Sequence, residues 1–268
     1  MPYTLKRMSD SVKYRSSGFL AKLSYFVGKE EERKKSQEIT FKKFSLDRQL
    51  GLSKLNRILE SEFGKSYSEK NGMWSEHLLF FAALSLNPIK IDRILEIGTH
   101  KGETTRILHL LFPLSKITTM DLPPALAKEL DIYSYGESNE IIEARKQNIG
   151  GINEIYEVQR DSCNLTIEEN KYDLIWLDGA HGHPVCCVDI TNAVRLIEHK
   201  GFIVCDDVYT TLRNSDSFYD SKATLQVLEA FKKSHLIDFS LINKRLSARS
   251  NIYKSQSKKI AVVQRFVV

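Results

Sequence analysis

The sequence predicts an α/β fold built on a mainly parallel sheet, and three observations carry that reading. From Gly72 onward, strand-like and helix-like segments alternate, the pattern of successive βα units. Two runs typical of buried strands, YDLIWLD (172–178) and GFIVCDD (201–207), each end in acidic residues and are separated by one helical segment. A glycine-containing turn, LEIGTHKGETT, joins the first strand to its helix. In an open parallel sheet the carboxyl ends of the strands border the ligand crevice, so Asp178, Asp206 and Asp207 are expected to converge on one site.

The elements follow in order. Residues 1–72 mix short apolar clusters, Phe19-Leu20 and Tyr25-Phe26-Val27, with the charge run KEEERKK and show no strand-like alternation; they read as a helical extension. Residues 73–268 form the α/β domain. It opens with an apolar helix over Ser75–Leu86, beside Trp74 and with His77 inside it. Strands are predicted at 92–98, 116–121, 155–160, 172–178, 201–207, 236–242 and 259–268, with helices near 103–112, 137–148 and 224–233. An insertion, PPALAKELDIYSYG, follows the second strand, and a polar loop suited to a hairpin joins the last two. No internal repeat or low-complexity tract interrupts this order.

Composition narrows the class. The 268 residues are 42% apolar and 27% charged with a net charge of +5, sufficient for one α/β core with an appendage. No run approaches the roughly 18 to 20 apolar residues that span a bilayer, and the start MPYTLKRMSD lacks a signal-peptide core; a cytoplasmic protein is expected. Four cysteines without Cys-x-x-Cys pairing suit reduced thiols. Charge is uneven: residues 1–72 hold 16 Lys/Arg against 9 Asp/Glu. That basic segment suits either a solvated helical cap or a surface that attracts nucleic acid or anionic lipid.

The first turn offers Gly98 and Gly102, where backbone can approach a ligand and a helix N-terminus presents free amides; a tight turn alone explains the same glycines. Asp121 ends the second strand about 25 residues after Glu96, where a carboxylate can accept both ribose hydroxyls of an adenosine-containing cofactor.

The series LEIGTHKGE, TTMDLP, VQRDS, YDLIWLDGAH and GFIVCDDV resembles class I S-adenosylmethionine-dependent methyltransferases over roughly residues 73–268. That resemblance implies a Rossmann-like seven-stranded sheet with helices on both faces, its last strand antiparallel between its neighbours. It also implies that the methionine part of the cofactor lies near Glu96, Gly98 and Gly102, the ribose on Asp121, and the adenine near Asp161 and Ser162. The family loop usually reads Glu-x-Gly-x-Gly-x-Gly; here Thr99-His100-Lys101 replaces its central glycine, which leaves the contacts of Thr99 and His100 with the cofactor to be found. Asp178 with Asp206-Asp207 resembles the metal site of cation-dependent O-methyltransferases, and Asp-Gly-x-His is most like the sugar- and antibiotic-directed branch, in which the histidine is the proposed base. The resemblance thus implies Mg²⁺ or another divalent cation on three hard carboxylate ligands. Carboxylates at these strand ends also serve as helix caps.

The expected chemistry is in-line attack of an acceptor hydroxyl on a sulfonium methyl group, with His181 taking the proton beside Asp178 and His183 as its competitor. The loops at 208–220, with Tyr209, Arg213 and Tyr219, and at 123–136 are placed over the crevice to select the acceptor, a small molecule or a sugar. Pairing of two copies through the N-terminal segment would suit a small O-methyltransferase. Nucleic-acid methylation is the competing function, but the AspLeuProPro at 121–124 follows the second strand and lacks the aromatic residue that base methylation uses. A non-enzymatic module of the same fold is a further alternative. A nicotinamide-dependent dehydrogenase is a weaker one, because Gly-x-Gly-x-x-Gly is missing from the first turn.

Overall fold

The computed structural model describes residues 30–129, 135–165, 171–211, 217, 220–246 and 258–266. The apolar clusters at 19–20 and 25–27, Arg213, Tyr219 and part of the insertion lie outside these residues.

Seven strands form one sheet in the order β3-β2-β1-β4-β5-β7-β6. They are β1 (Arg93–Ile97), β2 (Lys116–Asp121), β3 (Ile155–Gln159), β4 (Tyr172–Leu177), β5 (Ile197–Tyr209), β6 (Ile237–Asn243) and β7 (Lys258–Arg265). The first five run parallel, while β7 lies antiparallel between β5 and β6. This is the Rossmann-like arrangement that the resemblance implies. Its crossover point falls between β1 and β4, and that is where the crevice of such a sheet opens.

Helices cover both faces because adjacent strand residues point to opposite sides. Ile94, Leu174, Phe202 and Val262 join one apolar cluster; their neighbours Leu95, Ile175, Ile203 and Val263 join the other. The first cluster is closed by the helix over 30–43 (α1), α2 (Arg48–Phe63), α3 (Glu76–Leu84) and α4 (Glu103–Leu111). A short helix, α5 (Pro124–Glu129), and α6 (Tyr135–Ile149) follow β2. The second cluster is closed by α7 (Val185–Leu196) and α8 (Ala223–Lys233).

All nine residues of α3, EHLLFFAAL, are buried. The helix lies beneath α2, and Gly51 of α2 permits the crossing, since a Cβ there would stand 2.8 Å from the Ala83 nitrogen. Residues 30–72 are therefore packed into the core through Phe41, Leu46, Leu55 and Leu59.

Two boundaries differ from expectation. The sequence PALAKE, read as insertion, forms α5 because Pro at the first helical position and Ala, Leu, Lys and Glu after it favour a helix. β5 begins at Ile197 instead of Gly201, carrying the exposed Glu198, His199 and Lys200 as strand. The four cysteines are free; Cys186 and Cys205 are buried, and Cys163 and Cys187 are half-buried. Among the described residues, no helix is long and apolar enough to cross a membrane.

Candidate active site

One pole of the crevice lies at the ends of β1 and β2. Gly98 has φ +102°, and a Cβ there would stand 2.3 Å from the Asp178 carbonyl oxygen, so only glycine lets the β1 turn pass this close to the end of β4. Gly102, at φ +72°, starts α4 without a side-chain cap, leaving first-turn amides for a ligand. Glu96 is fully buried, and Thr105 and Thr119 donate to its Oε2, the latter at 2.6 Å. Thr99 Oγ1 continues this network to Thr119 Oγ1 at 2.6 Å. Burial drives the Glu96 carboxyl up to about 7 against the opposing threonine hydrogen bonds. Its Oε1 is buried with no hydrogen-bond partner, which an N–H-bearing ligand would satisfy.

Asp121 is held beside that turn. Its Oδ2 accepts from the His100 amide at 2.8 Å and from Arg145 Nη2 at 2.5 Å, and its Oδ1 accepts from the Leu122 amide at 2.9 Å. Each carboxylate oxygen has two acceptor positions, so capacity for a ligand hydroxyl remains. His100 adopts φ +46°, and its carbonyl accepts from Arg145 Nε at 2.7 Å. Asp161 caps the 3₁₀ turn Ser162–Asn164 through the Cys163 amide, and Ser162 is buried and bonded to Asp189 of α7. Burial raises Asp189 to about 6. A glycine cradle, a buried acid with one unpartnered oxygen and an acid at the end of β2 fit a cofactor bearing both an amino-acid and an adenosine part.

The second pole lies at the ends of β4 and β5. The pairing of β5 with β7 shifts register between Cys205 and Val208, and Asp207 takes φ +47° there. This irregularity turns consecutive acids of one strand toward a common point. His181 Nε2 lies 4.0 Å from Asp178 Oδ1 and 3.9 Å from Asp207 Oδ2. His181 is buried, whereas His183 is exposed. Burial lowers the His181 pKa against the upward pull of Asp207 and Asp206, leaving a neutral imidazole able to accept a proton. Asp178 is pushed well above the usual carboxylate range, first by burial and then by Asp206. Behind this pole His77 stacks on Trp176 with ring centroids 4.7 Å apart, and burial lowers it to about 4.

The three carboxylates converge as the sequence predicts, but two of them already hold a cation. Lys244 Nζ lies 2.5 Å from both Asp206 Oδ2 and Asp207 Oδ1, and Lys258 Nζ lies 2.5 Å from Asp207 Oδ2. Burial alone would raise Asp206; Lys244 outweighs it, and the net shift is downward. A divalent ion on these oxygens would sit about 2.0–2.6 Å from each, in the space of the ammonium. The donor set as folded therefore does not fit Mg²⁺. Among the described residues, no group of three or more His, Cys, Asp or Glu side chains is arranged to hold a metal ion.

Arg145, Lys244 and Lys258 escaped the sequence reading. Arg145 stands between Glu143 and Lys146 on α6 and resembles a solvated helix position, yet it is 5% exposed. Lys244 belongs to the polar run NKRLSARS, which reads as an ordinary hairpin loop.

Comparison with known proteins bears on the fold. The family model described as a methyltransferase domain matches residues 95–208. No curated protein matches the chain. Among solved structures, cofactor-bound Rv0187 from MTB is 20% identical, with a TM-score of 0.53 over 73% of this chain and 82% of that one. The SAH-bound methyltransferase PaMTH1 of Podospora anserina is 16% identical, with a TM-score of 0.51 over 81% and 88%. A protein of Clostridium thermocellum described as a putative rRNA-methylase is 10% identical, with a TM-score of 0.50 over 73% and 100%. At these identities the solved structures establish the fold alone; together with the methyltransferase-domain match over residues 95–208 they support a class I, S-adenosylmethionine-dependent methyltransferase fold for this chain.

Proposed function

We propose that the protein is an O-methyltransferase acting on a hydroxyl of a small molecule, with sugars as the first class to test. The observation that carries this reading is the buried His181 within 4.0 Å of the Asp178 and Asp207 carboxyl groups, at the strand ends adjoining the glycine turn. Bound S-adenosylmethionine supplies an electrophilic methyl group. Glu96, Gly98, Thr99, His100, Gly102 and Asp121 would hold that cofactor, with Asp161 and Ser162 at its adenine end. The acceptor hydroxyl would give its proton to His181 Nε2, and Asp207 would stabilise the imidazolium as it forms, with Asp178 on the other side of the ring nitrogen. Residues 1–72 act in this reading as a cap on a catalytic domain of residues 73–268. Free thiols at all four cysteines suit a reducing compartment such as the cytoplasm.

The test is transfer of a labelled methyl group from S-adenosylmethionine to a panel of sugars, catechols and RNA oligonucleotides. Label on a sugar or catechol oxygen, lost in His181→Ala with cofactor affinity held within a few-fold, supports the reading. The surplus of basic residues in 1–72 favours nucleic acid as the second reading; salt-sensitive methylation of RNA alone would establish that instead.

A further inference from the structure

We infer that the ammonium group of Lys244 is a built-in cation of the acceptor pole, standing where the resemblance calls for a divalent metal ion and making the site metal-independent. The inference rests on the proposed O-methyltransferase reading for its catalytic meaning, and on geometry for the rest.

Lys244 Nζ bridges Asp206 Oδ2 and Asp207 Oδ1, both at 2.5 Å. The second oxygen of Asp207 is taken by Lys258, whose Nζ also lies 5.1 Å from the centroid of the Tyr209 ring. Both oxygens of Asp207 and one of Asp206 are thus committed to ammonium groups, and a hard cation needing several such oxygens finds Asp178 and Asp206 Oδ1 at most. Lys244 is 6% exposed, so displacing its head group would require moving the buried chain that carries it.

That chain is clamped. On one side of Lys244, the Asn243 amide donates to Gln37 Oε1 at 2.8 Å, and Gln37 Nε2 donates to the Asn243 carbonyl at 3.0 Å. The Lys244 carbonyl accepts from the Glu76 amide at 3.1 Å. On the other side, the Leu246 amide donates to Glu69 Oε1 at 2.5 Å. Gln37 Nε2 and Arg48 both bond the Glu76 carboxylate, so the N-terminal helices set the backbone position of this lysine. An ammonium held this way keeps Asp206 and Asp207 oriented beside His181. Lys244 is a positioning residue: it acts through the two aspartates.

The decisive measurement is Mn²⁺ binding to the full chain, followed by electron paramagnetic resonance and calorimetry, alongside methyl transfer with and without a chelator. The wild type should show no Mn²⁺ site that depends on Asp206, and chelation should leave its turnover unchanged. Lys244→Met should lose most turnover and bind Mn²⁺ at least about tenfold more tightly, because a positive charge within contact distance has been removed. Lys244→Arg keeps the charge and should bind no Mn²⁺. Gln37→Ala, which loosens the clamp while leaving the lysine in place, should tighten Mn²⁺ binding by a smaller factor. Wild-type Mn²⁺ binding abolished by Asp206→Asn, or turnover lost on chelation and restored by Mg²⁺, overturns the inference. Should Lys244→Met fail to fold, the wild-type titration decides alone. If no hydroxyl acceptor is methylated, the O-methyltransferase reading fails while the Mn²⁺ comparison still judges the role of Lys244.

Discussion

The two poles of the crevice solve one problem, a buried acid, in opposite ways. At the cofactor pole Glu96 is surrounded by hydroxyls from Thr105 and Thr119, within 23 residues of it, and its carboxyl is raised to about 7. At the acceptor pole Asp206 is met by an ammonium 38 residues further on, and its carboxyl is held down. Dipoles leave an acid poised between charge states, whereas a full opposite charge fixes it as an anion. The first pole is thus prepared to receive a ligand that completes it. The second already holds counter-charges on Asp206 and Asp207.

The largest expected break of this contrast is Asp206→Asn. Removing one partner of a buried ion pair costs about 3–5 kcal/mol, and turnover should fall by about 10² or more while the Kd for S-adenosylmethionine stays within a few-fold. Denaturant melts and calorimetry separate the two effects. A parallel loss of cofactor affinity would mean that the poles are not independent.

Next comes Gly98→Ala. Its Cβ would meet the Asp178 carbonyl at 2.3 Å with φ at +102°, so a stability loss of about 2–4 kcal/mol is expected from strain and displacement of β4. Here cofactor affinity should fall as well if the glycine lines the proposed cofactor pole.

Glu96→Gln sharpens the contrast through pH. The folded-state pKa of about 7 lies above the ordinary 4.5, so the contribution of this carboxyl to apo stability is fully present below about 4.5. It is lost as pH rises through 7. The wild type should lose up to about 3 kcal/mol across that window relative to Glu96→Gln, at 1.36 kcal/mol per unit; urea midpoints at pH 5 and pH 8 report it. An equal slope in both proteins would remove Glu96 as the cause. The smallest effect is expected for the exposed His183→Ala, within about 0.5 kcal/mol in stability and without change in turnover. A large loss of turnover there would transfer the proposed base from His181 to His183.

The difference between the poles also explains what the sequence reveals. The proposed cofactor pole is built from one βαβ stretch, and the residues assigned to it, Glu96, Gly98, Gly102 and Asp121, are spaced by the strand and turn themselves. KITTMD reads as the strand 116–121, and β2 spans Lys116–Asp121, because alternation and a terminal acid mark it plainly. The acids of the other pole are legible for the same reason. Their counter-charges are not: Lys244 and Lys258 lie at the facing ends of β6 and β7, and only the antiparallel insertion of β7 beside β5 brings them to Asp207. Arg145 escapes likewise, since its role depends on how α6 docks against the His100 turn. Long-range pairing of unlike elements leaves no periodic trace.

The Gln37–Glu76–Arg48 cluster bears on modularity. Cutting the chain after Gly72 would leave Glu76, fully buried, without Arg48 and Gln37, and would expose the side of α3 that now lies under α2. A fragment beginning at residue 73 would therefore inherit an unpaired internal anion and an uncovered aromatic surface. The N-terminal helices belong to the minimal unit from which a shortened or fused version of this protein should be engineered.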